Sequence, residues 1–465
     1  MSDSCEVAII GAGLSGLTAA YQLRELDVVV LEADDQIGGR SQRTELAGWP
    51  TTTGGEGWYD PNPQSPESRL LAEVGIKSVP VSGSAMLHTA GGRNVSLSTP
   101  EQLAQDLGLS EQACPDFLQT FKRVAEACDA LAHPPVEDLI RKLLSVTGAE
   151  WIGPVHDEVL SYYRRVVSTE IGISLEADSA FSMLTGMPAF GGASAVWGGF
   201  LVPEGGAPMI GQAMAERLQR PPVTGALVTS VTQNGTRVTI TYRHDGQHKT
   251  LDAGHVVVAT PHPITGQIVR GLQPAKLAAM DSVRVLPIVE VLLLLADGGP
   301  APWDELSAVW TIDKSFSVCL HSKTDLANRI GDGGADKHSV IKMIAVGPSA
   351  APLSDRTDEC IADTFINDFA DMFPEARDKV LAHTVKRWIH GVPLPSLGFD
   401  QHVAEMVKPL GNIHFAGDWC GFVDTANPGG AGLEGDWGGY SVTAALNAVV
   451  RAGLRAASEI RDSIS

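Results

Sequence analysis

The first forty residues carry the clearest pattern of apolar and polar positions in the chain. Four consecutive apolar residues, 7–10, are typical of a strand buried inside a parallel sheet. Apolar residues then recur at helical spacing from Leu14 to Leu23 and predict a helix over residues 14–26. A second apolar run, 28–31, predicts the next strand. The chain therefore opens as a strand, a helix and a strand, which is the first unit of an α/β sheet.

The rest of the chain alternates between helical and sheet-like patterns, which indicates that further structure is inserted into the first sheet. Proline and glycine punctuate these patterns and mark the ends of elements. The predicted elements are a helical block over 100–175, a helix over 209–218, strands over 228–231 and 238–242 joined by an Asn234-Gly235 turn, a buried strand beginning at 255, a strand over 288–296, a helix over 359–372, a strand over 412–416 and a helix over 438–454.

The length of the chain indicates more than one domain. With 465 residues it is too long for one simple core, and 44% hydrophobic residues are enough to build a real one. We predict the fold class α/β, with a Rossmann-like domain and an inserted α+β domain. The first is discontinuous and comprises residues 1–82, 200–282 and 389–465. The second comprises residues 83–199 and 283–388.

The loop after the first strand has the glycine spacing of a dinucleotide-binding motif. Gly11 allows the tight turn, Gly13 lets the backbone approach a pyrophosphate, and Gly16 lets the next helix pack closely on the strand. The amides at the start of that helix favour phosphate. Glu32 ends the second strand, about 20 residues into the unit, where a carboxylate bonds a ribose hydroxyl and disfavours the extra phosphate of NADP. A chance glycine loop would lack this context of strand, helix and acid.

Two further glycine-rich stretches follow. Gly38-Gly39 permits a close approach of the backbone, and the adjacent Arg40 can neutralise a second phosphate. Residues 53–61 then form a predicted loop, with Gly54 and Gly55 before two aromatic residues.

Composition and charge narrow the classes of partner. A net charge of −21 argues against nonspecific binding to nucleic acid or to an anionic membrane surface. The longest strongly apolar run, 291–296, is far too short to span a bilayer, and no signal-peptide pattern opens the sequence. The six cysteines form no CxxC pair, so we expect buried free thiols and a cytoplasmic location. No metal site is predicted.

Taken in order, these pieces resemble the flavin-containing amine oxidase family, of the monoamine and polyamine oxidase type. Its wider superfamily includes phytoene-desaturase-like enzymes and L-amino-acid oxidases. The resemblance covers nearly the whole chain. It is most specific in the N-terminal stretch through Arg40, in Gly54-Gly55 followed by aromatics and Pro61, and in Phe415-Ala416-Gly417-Asp418. It implies a Rossmann-like FAD-binding domain of the GR2 type.

The resemblance also implies which residues bind FAD. The reduced flavin carries negative charge near its pyrimidine, and the helix that opens at Leu433 would stabilise that charge with its N-terminal amides. The implied cofactor-binding residues are Gly11, Gly13, Ser15 and Gly16 at the pyrophosphate, Glu32 and Ala33 at the adenosine ribose, Gly39 and Arg40 at the phosphates and ribityl chain, Val228 at the adenine, Gly417 and Asp418 at the ribityl or phosphate part, and Gly55, Glu56 and Leu433 nearer the flavin ring.

Departures from the family pattern bear on the cofactor linkage and on the substrate. No cysteine follows Trp388 in the stretch 388–397, where monoamine oxidases attach the flavin covalently, so we expect noncovalent FAD. Glu290 stands where the family commonly has a lysine near flavin N5. The aromatic cage for a simple amine is missing, because its C-terminal member aligns near Gly432, after an insertion over 420–431.

Three residues are candidates for catalysis, each with a structural alternative. Glu56 could bind an amine or accept a proton near the flavin, or it could cap the glycine loop. Glu290 could be a catalytic or substrate-binding acid, or it could form a salt bridge to Arg284 or another base, because a buried carboxylate is costly unless paired. Trp388 matches a family tryptophan close to the isoalloxazine, or it packs in the core.

The resemblance favours an FAD-dependent oxidase that removes a hydride from the carbon beside nitrogen of an amine, amino acid or amide-like metabolite. Oxygen is the expected acceptor, and the missing cage favours a bulky, specialised substrate. A C–C desaturase or dehydrogenase of an isoprenoid or other specialised metabolite is the alternative, favoured by the Asp418-Trp419 pair and the lost lysine. A nonenzymatic flavoprotein would not need the two large insertions. A homodimer stays open.

Overall fold

The computed structural model describes residues 3–55, 58–59, 66–80, 84–89, 91–96, 99–131, 137–186, 200–296, 300–304, 306–322, 338–421 and 445–464. The strands are β1 Asp3–Ile10, β2 Val28–Leu31, β3 Ser41–Leu46, β4 Trp49–Gly54, β5 Trp58–Tyr59, β6 Ser78–Pro80, β7 Ser84–His88, β8 Asn94–Ser96, β9 Phe200–Pro203, β10 Leu227–Asn234, β11 Arg237–His244, β12 Gln247–Val258, β13 Val283–Ala296, β14 Leu306–Thr311, β15 Val318–His321, β16 His338–Val346, β17 Val380–Pro395 and β18 Ile413–Phe415.

Helices connect and cover these strands. They are α1 Leu14–Gln22, α2 Pro66–Val74, α3 Pro100–Leu107, α4 Cys114–Leu131, α5 Glu137–Leu144, α6 Gly148–Ile152, α7 Asp157–Ile171, α8 Ala180–Gly186, α9 Pro208–Ala215, α10 His262–Ile268, α11 Pro274–Asp281, α12 Asp358–Met372, α13 Val403–Val407 and α14 Ala445–Ile464. Short 3-10 turns lie at Ala351–Leu353, Pro374–Ala376, Phe399–His402 and Asp418–Cys420.

The first sheet brings distant parts of the chain to one edge. Its parallel strands lie in the order β2, β1, β12, β18, and the antiparallel hairpin β10–β11 extends it along the first half of β12. Ile10 is in register with Leu31 and with Val258, which in turn pairs with Phe415. Because parallel strands share their carboxyl edge, the loops after all four strands meet there.

The second sheet is larger and mixed, with strands in the order β17, β13, β16, β15, β14, β7, β8. One face of β13 carries Val289, Val291 and Leu293, which pack in a core with Phe365 and Phe369 of α12. The opposite face carries Leu292 and Leu294, which join a smaller apolar cluster with Leu46 and Trp49 of the β3–β4 hairpin. Because successive side chains of a strand point to opposite faces, β13 contributes to a separate apolar core on each side of the sheet.

Most of the predicted elements are present in the structure. The Asn234-Gly235 hairpin is confirmed, and a second hairpin turns at Asp245-Gly246 with both residues in the left-handed region, at φ 53° and 72°. The division into domains at the predicted boundaries stays a prediction, although strands from residues 84–96 and 283–395 make one sheet and strands from 3–31, 227–258 and 413–415 make the other.

Three details differ from the expectation. Helix α1 ends at Gln22 rather than at residue 26, because Leu23 and Leu26 turn the chain toward β2. Helix α14 continues to Ile464, ten residues past the predicted end, and buries Ala456, Ala457 and Ile460. The β3–β4 hairpin was not predicted; Thr53 and Gly54, expected in a loop, belong to β4.

No helix in the described ranges combines the length and the apolar character needed to cross a membrane. All six cysteines lie in described residues and are free, as expected, but only Cys5, Cys319 and Cys420 are buried: Cys114 and Cys128 are partly buried, and Cys360 is exposed. Burial raises the pKa of the Cys5, Cys128 and Cys319 thiols to about 12. These thiols are therefore protonated and unreactive at neutral pH.

Helix α14 crosses α1 at a very close approach. A Cβ on Gly453 would lie 2.4 Å from the carbonyl oxygen of Ser15 and 2.7 Å from Cβ of Thr18. Ser15 Oγ in turn accepts a hydrogen bond from the Gly417 amide at 2.9 Å. The crossing therefore holds the start of α1 against the loop that follows β18.

We expect Gly453→Ala to destabilise the protein. Overpacking typically costs about 1–3 kcal/mol, which outweighs the gain of about 1 kcal/mol from replacing glycine in a helix. The midpoint and slope of urea unfolding measure the effect. Ser458→Ala, at an exposed position of the same helix, is the control and should leave the midpoint nearly unchanged. A midpoint for Gly453→Ala at or above that of the parent protein would contradict the tight crossing.

Candidate active site

The turn between β1 and α1 depends on glycine at two positions. Gly11 adopts φ +100°, which L side chains rarely adopt. A Cβ on Gly16 would lie 2.0 Å from the carbonyl oxygen of Gly11, so no larger residue fits between the turn and the helix. The first turn of α1 therefore starts directly behind β1, and its free amides face the carboxyl edge of the sheet.

A second glycine loop packs face to face with the first. Gly39 adopts φ +60°, and a Cβ placed on it would lie 3.2 Å from Cα of Gly13. The amide of Gly38 donates to the carbonyl oxygen of Ala12 at 2.8 Å. Two stretches of backbone without side chains thus form one continuous surface, which is the arrangement that a pyrophosphate can approach closely.

Glu32 lies at the end of β2 beside this surface. One carboxylate oxygen accepts from the Ala12 amide at 2.6 Å and the other from the Asp34 amide at 2.9 Å. Burial raises the pKa of Glu32 above its ordinary value, against the opposing effect of these backbone hydrogen bonds. Ala33, the next residue, is exposed. The chain from residue 223 to 226 hydrogen-bonds to residues 30–34, and this brings the start of β10, with buried Val228, beside Glu32.

Arg40 and Asp418 join the second glycine loop to the loop after β18. Their atoms Nη1 and Oδ2 are 2.6 Å apart, and the same guanidinium nitrogen donates to the carbonyl oxygen of Gly391. Asp418 is buried, and its Oδ1 accepts from the Trp419 amide at 3.0 Å. Apart from this ion pair, Oδ2 has no hydrogen-bond partner among the described residues.

His262 is a residue of this edge that the sequence analysis missed. It is buried, its ring lies 5.8 Å from that of Trp419, and its Nδ1 has no hydrogen-bond partner within the described ranges. Burial lowers the pKa of His262, although the charge of Asp418 opposes this. Its position in the sequence could have indicated it, because it follows the third parallel strand, β12, by four residues and so lies at the same edge as the glycine loops.

These features fit a bound dinucleotide. The adjoining glycine loops leave room for phosphates at the helix N-terminus, and acceptors lie on either side of them: the partly buried Glu32 at one end and the buried Asp418 at the other. The Asp418 oxygen that lacks a hydrogen bond is a suitable acceptor for a sugar or ribityl hydroxyl. Arg40 adds a cation between the phosphates and that acceptor.

Glu290 lies behind this edge, on β13 of the second sheet. Its exposed fraction is 1%, and both its oxygens accept from the Gly54 amide, at 3.2 and 3.1 Å. Lys342 on β16 is equally buried; its Nζ lies 3.8 Å from Glu290 Oε2 and donates to the Gly54 carbonyl oxygen at 2.9 Å. Glu290 is thus paired with a base, but with Lys342 rather than Arg284, which pairs with Asp178.

Trp388 is half-buried on β17 and shares a face of the sheet with Glu290. Trp388 is in register with Ile288, two residues before Glu290 on the neighbouring strand. Directly after Trp388 the register shifts, because residues 389–391 bulge outward opposite Pro287. A Cβ on Gly391 would lie 2.5 Å from a side-chain carbon of Ile288. The bulge exposes the Gly391 carbonyl oxygen to Arg40.

The structure therefore brings Gly11, Gly13, Ser15, Gly16, Glu32, Gly39, Arg40, Gly417 and Asp418 to one edge, with Val228 beside Glu32, Gly55 bonded to Arg40, and Glu290 and Trp388 on the adjacent strands β13 and β17 of the second sheet. Gly55 donates its amide to the Arg40 carbonyl oxygen at 3.2 Å. Glu56, Gly432 and Leu433 lie outside the described residues, so the predictions made for them stay predictions.

The chain belongs to the flavin-containing amine oxidase family. The family model described as flavin containing amine oxidoreductase matches residues 14–429, which include every predicted cofactor-binding residue that the structure describes except Gly11 and Gly13.

Curated relatives span the chain to different extents. A putative flavin-containing monoamine oxidase, AofH, of Mycobacterium tuberculosis is 30% identical over 273 residues, or 55% of this chain and 57% of that protein. The match thus spans little more than half the length of this relative. An L-amino acid dehydrogenase of Synechocystis is 26% identical over 462 residues, or 91% of this chain and 93% of that protein.

Solved structures match the whole fold. Putrescine oxidase bound to putrescine superimposes with a TM-score of 0.74 at 20% identity, covering 99% of this chain and 100% of the other. Cyclohexylamine oxidase from Brevibacterium oxydans gives a TM-score of 0.73 at 20% identity, covering 99% of each chain. At this identity the likeness shows the fold alone, a mixed α/β fold like that of FAD-dependent amine oxidases.

The raised pKa of Glu32 generates a pH prediction. Ribose hydroxyls that donate to the carboxylate favour its ionised form, so FAD binding would lower this pKa and release a proton. We expect the affinity for FAD to rise with pH from near 4.5, the ordinary value, through the raised pKa of the flavin-free protein, and then to level off. Quenching of FAD fluorescence by apoprotein measures the affinity at each pH.

Glu32→Gln should flatten this dependence and weaken binding, whereas Asp35→Asn, a neighbouring exposed carboxylate, should change neither. A profile for Glu32→Gln as steep as that of the parent protein would mean that another group takes up the proton.

Proposed function

We propose that this protein is an FAD-dependent oxidase that removes a hydride from the carbon beside nitrogen of a bulky amine, amino acid or amide-like metabolite, with oxygen as the electron acceptor. The observation that carries the proposal is the row of groups from Glu32, past the two glycine loops, to Arg40 and Asp418, in a chain that belongs to the flavin-containing amine oxidase family. That row ends beside the second sheet, where Trp388 and Glu290 lie.

FAD would lie along this row. Glu32 and Ala33, with Val228, would hold the adenosine, and the backbone at Gly11, Gly13, Ser15, Gly16 and Gly39 would hold the pyrophosphate. Arg40, Gly417 and Asp418 would hold the ribityl chain, and Gly55, Glu56 and Leu433 would lie nearer the flavin ring. We assign the first sheet and its helices to a Rossmann-like domain of the GR2 type, comprising residues 1–82, 200–282 and 389–465, and residues 83–199 and 283–388 to the substrate-binding domain.

The residues near the reacting end have separate tasks. When bound, FAD supplies the two-electron oxidation, and oxygen regenerates it. The indole of Trp388, on β17 beside the bulge at 389–391 and paired with β13, would form a flat apolar wall for the flavin and the substrate. Glu56 would bind the amine or accept its proton. Glu290 would act as an acid of the site or by holding Gly54, and the two roles make different predictions below.

A bulky substrate is favoured by the sequence, because no aromatic residue occupies the place near Gly432 and extra residues precede it. The names of the relatives span amines and amino acids: a monoamine oxidase and an L-amino acid dehydrogenase. Neither name defines the substrate of this chain. A cytoplasmic location and a homodimer are also proposals rather than findings.

The proposal predicts that an amine or amino acid bleaches the bound flavin without oxygen and releases hydrogen peroxide in air. We expect bulky amines to give faster bleaching than putrescine or cyclohexylamine, since no cage positions a small amine. Stopped-flow absorbance and a peroxidase-coupled assay measure the two events. If no amine or amino acid bleaches the flavin, while an isoprenoid does and the reduced flavin reoxidises slowly in air, the proposal is wrong and the desaturase is favoured.

The missing cysteine after Trp388 predicts noncovalent FAD. Acid precipitation should leave a colourless pellet and release all the flavin into the supernatant, where its fluorescence and mass identify intact FAD. A pellet that stays yellow after washing in denaturant would contradict this. A protein purified with covalently bound flavin, such as a monoamine oxidase, is the positive control.

A further inference from the structure

We propose that Glu290 and Lys342 are positioning residues that fix Arg40 for cofactor binding by clamping the single residue Gly54 between them. The proposal rests on the proposed function only in taking FAD as the ligand of Arg40. It assigns Glu290 a task other than reaction with the substrate.

The pair is buried and directed at one residue. Glu290 and Lys342 are each 1% exposed. The acid accepts from the Gly54 amide through both oxygens, and the base donates to the Gly54 carbonyl oxygen. A buried ion pair is a poor source of stability, because apolar residues of the same size often stabilise as well or better. Here the pair holds the amide and the carbonyl oxygen of Gly54 in place.

Gly54 transmits this position to the main chain of Arg40. It adopts φ +77°, and a Cβ placed on it would lie 1.5 Å from the carbonyl oxygen of Arg40. The next amide, that of Gly55, donates to the same carbonyl oxygen at 3.2 Å. Ser41 Oγ donates to the Gly55 carbonyl oxygen at 3.0 Å. Gly54 therefore cannot move along this contact without moving Arg40.

The second sheet also holds the other end of Arg40. The guanidinium donates to the Gly391 carbonyl oxygen in the bulge of β17, and β17 pairs with β13, the strand of Glu290. These contacts connect Glu290 to Gly54, Gly54 to Arg40, and Arg40 to Gly391. The pairing of β17 with β13 closes the ring, because Gly391 lies on β17 and Glu290 on β13. The contact of Arg40 with Asp418 joins this ring to the first sheet. The second sheet thus sets where the cation meets the cofactor-binding edge.

A double-mutant cycle on FAD affinity tests this path. The variants are Glu290→Gln, which keeps an acceptor for the Gly54 amide, Lys342→Met, and the neutral pair Glu290→Gln/Lys342→Met, each made with Arg40 present and with Arg40→Met. With Arg40 present, we expect each single change to weaken FAD binding at least about tenfold, as expected for a lost charge-assisted contact. In the Arg40→Met background the same changes should weaken it less than about twofold.

Equal losses of FAD affinity in the two backgrounds would overturn the proposal. A general loss of structure would weaken FAD binding to the same extent whether or not Arg40 is present. The neutral pair leaves no unpaired buried charge, so it tests the path even if a single variant does not fold. Glu67→Gln is the matched control: Glu67 is a fully buried acid that pairs with Arg451, and its loss should be the same with and without Arg40.

Turnover at saturating FAD separates positioning from catalysis. A positioning role predicts that Glu290→Gln retains kcat within about threefold and keeps the pH profile of the parent protein, whereas an acid of the reaction would lose kcat by 10²-fold or more. A loss of that size would overturn the positioning role. FAD affinity is measured without substrate, so the cycle keeps its meaning even if no amine is oxidised.

Discussion

The ion pair between Arg40 and Asp418 is the interaction on which the site depends, because it joins three parts of the molecule at one point. Arg40 follows the second glycine loop, Asp418 follows the last parallel strand, and the Gly391 carbonyl oxygen comes from the second sheet. A buried carboxylate needs a partner, and here its partner is held from the opposite side by the other sheet. Gly39 and Gly54, beside this pair, have positive φ and approach the neighbouring backbone closely, so both positions favour glycine.

The N-terminal half of the site could be predicted from the sequence, because its geometry is local. The turn at Gly11, the packing at Gly16 and the acid at Glu32 follow from strand, helix and strand in immediate succession, and the structure has each in the expected place. The meeting of the loops after β1, β12 and β18 also follows from physics, since buried apolar runs form parallel strands that share a carboxyl edge. The resemblance added FAD, and membership of the family supports a flavin.

The environment of Glu290 could not be predicted in the same way. The sequence shows that an acid in an apolar strand needs a partner, but it does not say which of several bases is within reach. Lys342 is fifty-two residues away, on a strand whose antiparallel register with β13 sets it diagonally opposite Glu290. The β3–β4 hairpin was not predicted for a related reason: three consecutive threonines, 51–53, are all buried in the folded protein, which the local pattern does not reveal. His262 was not predicted because no sequence motif marks it, although it lies at the site.

The shared edge of β12 bears on the order in which the protein assembles. The same side of that strand pairs first with β11, a near neighbour in sequence, and then with β18, which comes more than 150 residues later. During synthesis the second half of β12 therefore waits with unpaired backbone groups while the large second sheet forms, and such an edge invites pairing with other chains. Because the loop with Asp418 directly follows β18, pairing of β18 would cover the open edge of β12 and bring Asp418 to Arg40 in the same step. A supply of cofactor would then favour the closed sheet over aggregation.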